Sequence, residues 1–570
     1  MPTSYFQAIP TVLSQVILAQ PTSVLDVGVG FGKYGVLLRE VLELPVGRYN
    51  RTMWKTRIDG VEAFADYENP IHHFAYDHVY YGDVRVLIDS LPEYDVVLLI
   101  DVLEHFTKLE GLTLVRQLLR KARRFVLIST PLYPDTQDSY LGNQFEAHKS
   151  RWHTLDFVGF DFTYSLLPIG DGGAQIVKVY PSAGDTGADG KDELLSTRDP
   201  GANAPRSLSL VYILPHQKLT GGLKMLLQQA EVLSRRGHQV RVLLKSNEVT
   251  SAVPQWATLT QVEQHVVPPG QSLRPFIANA DVIMAGWVEQ LEELARYDIP
   301  VVYWEQGHEW LFGDMPLEYE PAIRRLLLHN YSQPVTLLAV SPIVSQILQA
   351  RYHRRAEVVP NGIDVESFYP GAGDTEPTVL LVGNPALRFK GFDVALRALD
   401  RLWRSGFRFK VRWVCQQRPR VYTSFPLEYE ENPPQERLPD IYREASVLLF
   451  ASWYEGFGMP PLEAMASGVP VVTTRCGGVD SFVDPGRNAI AVEPGDVENL
   501  AAGVGQVLGD NSLRLRMAVN GRQTAQRFAW ENVVPQLEEA LYRVIDRLSG
   551  SARSFLRAMP AEPPAADGEG

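Results

Sequence analysis

Glu455 and Glu463 stand eight positions apart in Glu455-Gly456-Phe457-Gly458-Met459-Pro460-Pro461-Leu462-Glu463, a loop that runs into an apolar helix. Gly456 and Gly458 let the backbone approach a ligand closely, so Glu455 can reach one part of it while Glu463 accepts hydrogen bonds from another. Two carboxylates near a helix start also favour the helix dipole, a reading that needs no ligand. Upstream, Gly221-Gly222 opens a Leu-rich helix directly after the strand SLVYILP. The N–H groups of such a turn suit an anionic phosphate, and a plain turn would use the same glycines.

A second constellation lies in the first 180 residues. The run Ser23-Val24-Leu25-Asp26 enters Val27-Gly28-Val29-Gly30-Phe31-Gly32 and passes into a helix, giving strand, glycine loop and helix. A ligand can lie directly on such a loop, although a tight turn alone would also call for glycines. A Walker loop is excluded because Gly32-Lys33 is followed by Tyr34. A dinucleotide site is disfavoured by the position of the third glycine. Glu62 ends the next strand, where an acid suits a ribose diol, and Gly82-Asp83 and Asp101 follow at the same sheet edge. Downstream lie Asp101-Val102-Leu103-Glu104-His105 and the polar loop Gly142–Trp152, with His105, His148 and His153 as candidate bases and His148 the first choice. Each of these imidazoles could equally be a hydrogen-bonded structural group.

With the glycine loop, Glu62, Gly82-Asp83 and DVLEH in place, residues 20–180 resemble the class I S-adenosylmethionine-dependent methyltransferases. The resemblance implies S-adenosylmethionine as cofactor, with Asp26, Gly28, Gly30 and Gly32 at the loop, Glu62 on the ribose, Asp83 on the adenine amine and Asp101 lining the methyl-transfer pocket. Residues 207–549 resemble the retaining GT-B glycosyltransferases of family four, on Asn361-Gly362-Ile363-Asp364, Phe368, Pro370, Lys390-Gly391, the Glu-x7-Glu segment and Gly477-Gly478. That resemblance implies a nucleotide-sugar donor (UDP-, GDP- or dTDP-linked) and no metal. It places Glu463 on the ribose hydroxyls, Glu455 on the donor sugar and Lys390 on the leaving diphosphate, with Gly221, Gly222, Gly456, Phe457 and Gly458 lining the donor and His308 facing the sugar. Its usual Arg after the strand glycine is absent, since Asn384-Pro385 follows Gly383, and Arg388 is the nearest substitute. Asp480 stands where many relatives carry Glu, and it could simply cap the next helix.

The elements needed to hold these groups are alternating strands and helices. The fold class read from them is α/β: a Rossmann-like methyltransferase domain (1–182), a Gly/Ala/Asp/Pro-rich flexible linker (183–206), a GT-B N-terminal lobe on the acceptor side (207–370), and a nucleotide-sugar lobe (371–549) whose last helix crosses back to the first lobe. A mobile tail (550–570) follows. Of the 570 residues 45% are hydrophobic and 21% charged, which is globular composition. A net charge of −13 argues against a polyphosphate grip on nucleic acid. Cys415 and Cys476, isolated from each other, argue against a disulfide framework or a zinc site built on paired cysteines. With no leader and no run of 18 apolar residues, a cytoplasmic protein is expected, with peripheral membrane contact through Arg324-Arg325 or Arg351–Arg355 as an option. The functional expectation is a bifunctional enzyme that glycosylates and methylates a glycan or lipid-linked glycan of a bacterial surface polysaccharide. Its rivals are a glycosyltransferase with a non-catalytic S-adenosylmethionine-binding or docking domain, and a nucleotide-sugar-binding scaffold.

Overall fold

The computed structural model describes residues 6–132, 143–169, 172–181, 207–316, 318–371 and 376–558, with backbone only from 547 onward. The linker assigned to 183–206, Gly142 of the polar loop and the last twelve residues of the assigned tail lie outside this set. Before them the final helix, Trp530–Ala558, runs on past Gly550, where the sequence reading began the tail.

Three sheets carry the chain. The first contains β1 (Ser23–Val27), β2 (Arg57–Glu62), β3 (His78–Tyr81), β4 (Tyr94–Ile100), β5 (Ala122–Pro131), β6 (Asp161–Ile169) and β7 (Gly172–Tyr180), in the order β3-β2-β1-β4-β5-β7-β6. Its first five strands are parallel, whereas β7 runs antiparallel to both β5 and β6. All seven residues of β4 are buried, as expected of a parallel strand covered on both faces. A β7–β6 hairpin therefore occupies the place where a dinucleotide-binding fold would continue its second parallel half.

The second sheet contains β8 (Ser209–Leu214), β9 (Gln239–Lys245), β10 (Glu263–Val267), β11 (Val282–Ala285), β12 (Val301–Glu305), β13 (Thr336–Ala339) and β14 (Glu357–Val358), in the order β10-β9-β8-β11-β12-β13-β14. The third contains β15 (Thr378–Val382), β16 (Lys410–Cys415), β17 (Leu427–Glu431), β18 (Val447–Phe450), β19 (Val471–Thr474) and β20 (Ala489–Val492), in the order β17-β16-β15-β18-β19-β20. Both are parallel throughout. The α/β expectation of three Rossmann-like units holds. In each sheet the strand order reverses once, beside β1 and β4, β8 and β11, or β15 and β18, and the loops leaving those strands bound the crevice where such sheets bind ligands.

The N-terminal sheet is packed against the rest of the molecule. Its edge strand β6 meets the segment 308–316: Tyr164 N donates to Gly313 O (3.0 Å), and the Arg351 guanidinium lies 4.2 Å from the Phe162 ring centre while donating to Leu311 O (2.7 Å) and Phe312 O (3.1 Å). Arg324 makes two bonds to Asp161 (2.7 and 3.1 Å) and lies over the Tyr180 ring, and buried Glu320 takes bonds from Lys178, Thr163 and Tyr180. Arg354 donates to the carbonyls of Tyr331, Gln333 and Val335. Arg324, Arg351 and Arg354 are thus engaged inside the protein, which leaves Arg325 and Arg355 as the exposed arginines of these two runs. Among the described residues no helix is long and apolar enough to cross a membrane.

The last helix packs on the helix Gly221–Arg235 of the second-sheet lobe. Glu538 accepts from Arg236 (2.7 and 2.8 Å) and His238 (3.0 Å). Burial opposes the Glu538 charge, but the His238 and Arg236 bonds outweigh it and pull the carboxyl down to about 2. Because this lies below the ordinary glutamate value of 4.5, the stabilisation is present above pH 4.5 and is lost as pH falls through about 2. We expect Glu538→Gln to cost about 1.5–3 kcal/mol at pH 7, with the gap from wild type closing toward pH 2. Denaturant titrations across that range would show a pH-independent gap if the pair were not what holds the helix.

Candidate functional site

The crevice of the third sheet, facing the second, is built from the loops after β15 and β18. After β15 the chain turns at Gly383 and forms a short turn at Arg388–Lys390. Gly391 follows with φ +63°, at a point where a Cβ would lie 2.0 Å from Ala451 O. After β18, Ser452 Oγ (2.7 Å) and Lys390 Nζ (2.8 Å) both donate to Glu455 Oε1. The Glu455 backbone is tied at both ends, N to Cys476 O (2.8 Å) and O to Gly478 N (3.0 Å). Gly478 admits no side chain, since its Cβ would meet Phe457 N at 2.5 Å. Gly458, at φ +93°, starts the helix Met459–Ala466, and Glu463 lies on its second turn.

The opposite wall belongs to the second sheet. Thr220 caps the helix that Gly221-Gly222 opens, and Lys224 on its first turns reaches across to Glu463 Oε1 (3.2 Å), whose other oxygen accepts from Tyr442 OH (2.8 Å). The two lobes touch backbone to backbone. A Cβ on Gly456 would sit 1.9 Å from Gln306 O, one on Gly307 would sit 2.7 Å from Gly456 Cα, and Ser341 Oγ donates to Gly456 O (2.6 Å). Tyr454 stacks between Phe312 and Phe389, each ring centre 4.6 Å away, and donates to Asp314 (2.9 Å). Burial raises the Asp314 carboxyl above its usual range, against the pull of the Tyr454 bond and the positive charge of Arg388.

The structure brings Lys390, Glu455, Gly456, Gly458, Glu463, Gly221 and Gly222 to this crevice, with Arg388 at its edge, whereas the ring of Phe457, expected to line the donor, is buried against Phe482 and Phe528. His308 is buried in its wall, Nδ1 accepting from Leu311 N (3.2 Å) and Nε2 bonded to Tyr331 OH (3.2 Å), and burial holds its pKa below the usual value. Both ring nitrogens therefore have protein partners, unlike the sugar-facing imidazole expected. Three members of the site were not read from sequence: Lys224, Ser452 and Gln306. The Gln306 side chain packs on Gly222, and its Nε2 is buried without a partner. An amide donor left unpaired between two glycines in a crevice is a natural contact for an anionic ligand.

In the N-terminal sheet the crevice lies between the loops after β1 and β4. Gly28, Gly30 and Gly32 all have positive φ, and Gly28 leaves no room for a Cβ, which would meet Val102 at 2.4 Å. Glu62 accepts from Gly30 N and Phe64 N (both 2.8 Å), which fix its carboxylate at the mouth of the crevice. Burial raises its pKa despite these bonds. Asp26 is buried beneath the loop; desolvation pushes its carboxyl up to about 7, against the bond from Tyr76 OH (2.6 Å) and with added repulsion from Glu62. Asp26 thus supports the loop through Tyr76, which also binds Gly35 N (2.9 Å). Asp83 caps the helix Val84–Leu87, and its carboxyl is held low chiefly by the bond from Arg85. Asp101 adopts φ +52° at the end of β4 and accepts from Ser129 Oγ (2.8 Å). His105 and His148 lie together, ring centres 5.1 Å apart, beside buried Glu104. His153 does not join them: it bonds Glu493 of the third-sheet lobe (2.8 Å).

Residues 220–367 match the model of Glycosyltransferase Family 4, and residues 376–510 match that of the Glycosyl transferases group 1. The two lobes of the C-terminal half thus each match a glycosyltransferase family model. The chain is similar to a D-inositol 3-phosphate glycosyltransferase of Corynebacterium urealyticum, 33% identical over 239 residues, or 37% of this chain and 54% of that protein. It is also similar to an MMP alpha-(1->4)-mannosyltransferase of Mycolicibacterium hassiacum, 31% identical over 235 residues, or 38% and 56%. The chain thus spans about half the length of the curated relatives it matches. Among solved structures, Anabaena HepE in complex with UDP-glucose aligns with TM-score 0.49 and 19% identity, covering 59% of this chain and 100% of that one. Both family matches lie beyond residue 219 and leave the N-terminal sheet to its own geometry.

The Gly456 contact sets how closely the two C-terminal lobes meet. Gly456→Ala should lower unfolding stability by about 1–3 kcal/mol through forced overpacking. Gly221→Ala, with nothing within 4 Å of its Cβ, should change it by less than about 0.5 kcal/mol. Equal effects in chemical denaturation would show that the backbone contact does not form.

Proposed function

We propose that the chain is a two-site transferase. In the C-terminal module a sugar passes from a nucleoside diphosphate to a hydroxyl of a glycan or sugar-phosphate acceptor with retention of anomeric configuration. In the N-terminal domain a methyl group passes from S-adenosylmethionine to a glycan hydroxyl. The Lys390–Glu455 ion pair, set in the crevice opposite Gly221, Gly222 and Gln306, carries the first half of this reading.

Departure of a nucleoside diphosphate develops negative charge, which the Lys390 ammonium, the N–H groups at Gly221-Gly222 and the Gln306 amide are placed to meet. Glu463, held by Tyr442, suits the ribose diol; Lys224, which pairs with it across the cleft, would exchange this partner for phosphate when donor binds. Glu455 suits the donor sugar hydroxyls. The acceptor hydroxyl attacks from the face the diphosphate leaves, so no enzymic nucleophile is needed and the configuration is kept. Relatives named for inositol-phosphate and mannosyl transfer support an acceptor rich in hydroxyls.

For the N-terminal domain, the glycine loop at the strand-order reversal and the Glu62 carboxylate held beside it support a nucleoside ligand. A second reading, a docking domain without methyl transfer, is favoured by the buried contacts that join β6 to the 308–316 segment.

Calorimetric titration with UDP, GDP and dTDP should find one tight binder, weakened at least about tenfold by Glu463→Ala. Lys390→Ala should lower turnover by about 10²–10³-fold. S-adenosylhomocysteine should bind at a separate site, weakened by Glu62→Ala alone. If none of the three diphosphates binds, the transferase reading fails. If nucleotide binds and S-adenosylhomocysteine does not, the docking reading stands.

A further inference from the structure

Glu104, His105 and His148 form a side-chain cluster that the glycosyltransferase chemistry does not use. One ligand-type atom from each lies within 4.8 Å of the other two, close to the span of donors around a single first-row metal ion once the side chains settle onto it. Three further observations point to a cation. Glu104 is 3% exposed, and its Oε2 is buried without a hydrogen-bond partner, an arrangement that a carboxylate tolerates poorly unless a cation completes it. The His105 ring is held in place by the backbone, with Nδ1 3.3 Å from Ala147 O, which keeps the imidazole beside Glu104. The loop that brings His148 in is tied to the same residue that supplies the carboxylate, because Lys149 N (2.8 Å) and Ser150 N (3.1 Å) donate to Glu104 O. Asp101 and Glu146 add negative charge around the cluster.

We propose that Glu104, His105 and His148 bind a divalent first-row transition-metal ion at the carboxyl end of β4, beside the glycine-loop crevice. The imidazole-rich donor set favours Mn²⁺, Fe²⁺, Co²⁺ or Zn²⁺ over Mg²⁺ or Ca²⁺. This departs from the sequence expectation of a protein without metal, and it makes His148 a ligand where the sequence reading made it the base.

The ion's role rests on the methyl-transfer reading, although its binding does not. Sugar hydroxyls are poor nucleophiles at neutral pH, and a cation that draws charge from an acceptor hydroxyl makes it more acidic. The hydroxyl proton then leaves to water, the oxygen–carbon bond forms as the methyl–sulfur bond breaks, and the electron pair stays on sulfur to give neutral S-adenosylhomocysteine. Two neighbouring hydroxyls on one sugar would fit such an ion as a chelating pair, so the acceptor class is a vicinal diol.

The test uses the full chain, stripped with chelator, dialysed and titrated with Co²⁺ while visible ligand-field absorption is followed. One Co²⁺ per chain is expected, with an affinity at least about tenfold weaker in His105→Ala and in His148→Ala and unchanged in the control His78→Ala. The wild-type spectrum is informative even if a variant fails to fold. Absence of a ligand-field band, less than one ion per chain at millimolar Co²⁺, or equal affinity in folded His148→Ala would overturn the site. S-adenosylhomocysteine is titrated into the same samples. Cobalt binding without it leaves the metal site standing and removes its assigned role in methyl transfer; its binding without cobalt overturns the metal site alone.

Discussion

The cleft between the second and third sheets depends on one place where two backbones meet without side chains. Gly456 and the Gln306–Gly307 peptide approach so closely that a Cβ on either glycine would overlap the other chain, and Ser341 closes the contact with a bond to Gly456 O. Because Gly456 immediately follows Glu455, that contact also sets how far the carboxylate held by Lys390 lies from the opposite lobe. The Lys224–Glu463 ion pair crosses the same gap. The unpaired Gln306 amide belongs to the very peptide that forms the contact. Glycine here serves proximity between lobes as much as proximity to a ligand.

Tyr454, one residue earlier, extends this junction to the N-terminal domain. Its ring stacks on Phe312 from one lobe and Phe389 from the other, and Tyr164 of β6 meets it edge-on at 6.2 Å. An exposed edge strand is an aggregation hazard, and β6 is covered by the segment that also carries Phe312 and Asp314. The two crevices are therefore joined through packed side chains as well as by the chain between them. Deep burial of Glu320 and Arg351 at this seam means that separating the domains would strand charged groups, which favours a fixed arrangement over a loosely tethered one.

What could be read from sequence was local. Glycine loops after apolar strands, acids at strand ends and the Glu-x7-Glu spacing are carried by neighbours in the chain, and the α/β class follows from their alternation. What could not be read was pairing at a distance. Arg324 and Arg351 show their charge in the sequence but not Asp161 or the carbonyls of Leu311 and Phe312, so local sequence offered them for membrane contact. His308 stood in the right segment, yet nothing local revealed that Tyr331 and Leu311 N occupy its nitrogens. Lys224 was hidden for the same reason, because its partner Glu463 lies 239 residues away.

The same rule explains why three sheets of one architecture hold three different sets of groups. In each, the reversal of strand order opens a crevice, and the fold dictates only which loops line it. After β1 the loop carries three glycines with positive φ, and after β4 it carries Asp101 and Glu104, an acidic pocket faced by imidazoles. After β15 it carries Lys390, and after β18 Glu455, an ion pair suited to a leaving anion and a sugar. After β8 the loop delivers the Thr220 cap, two glycines and a helix start. That crevice gains its function by facing the third sheet, across the short distance that Gly307 and Gly456 permit.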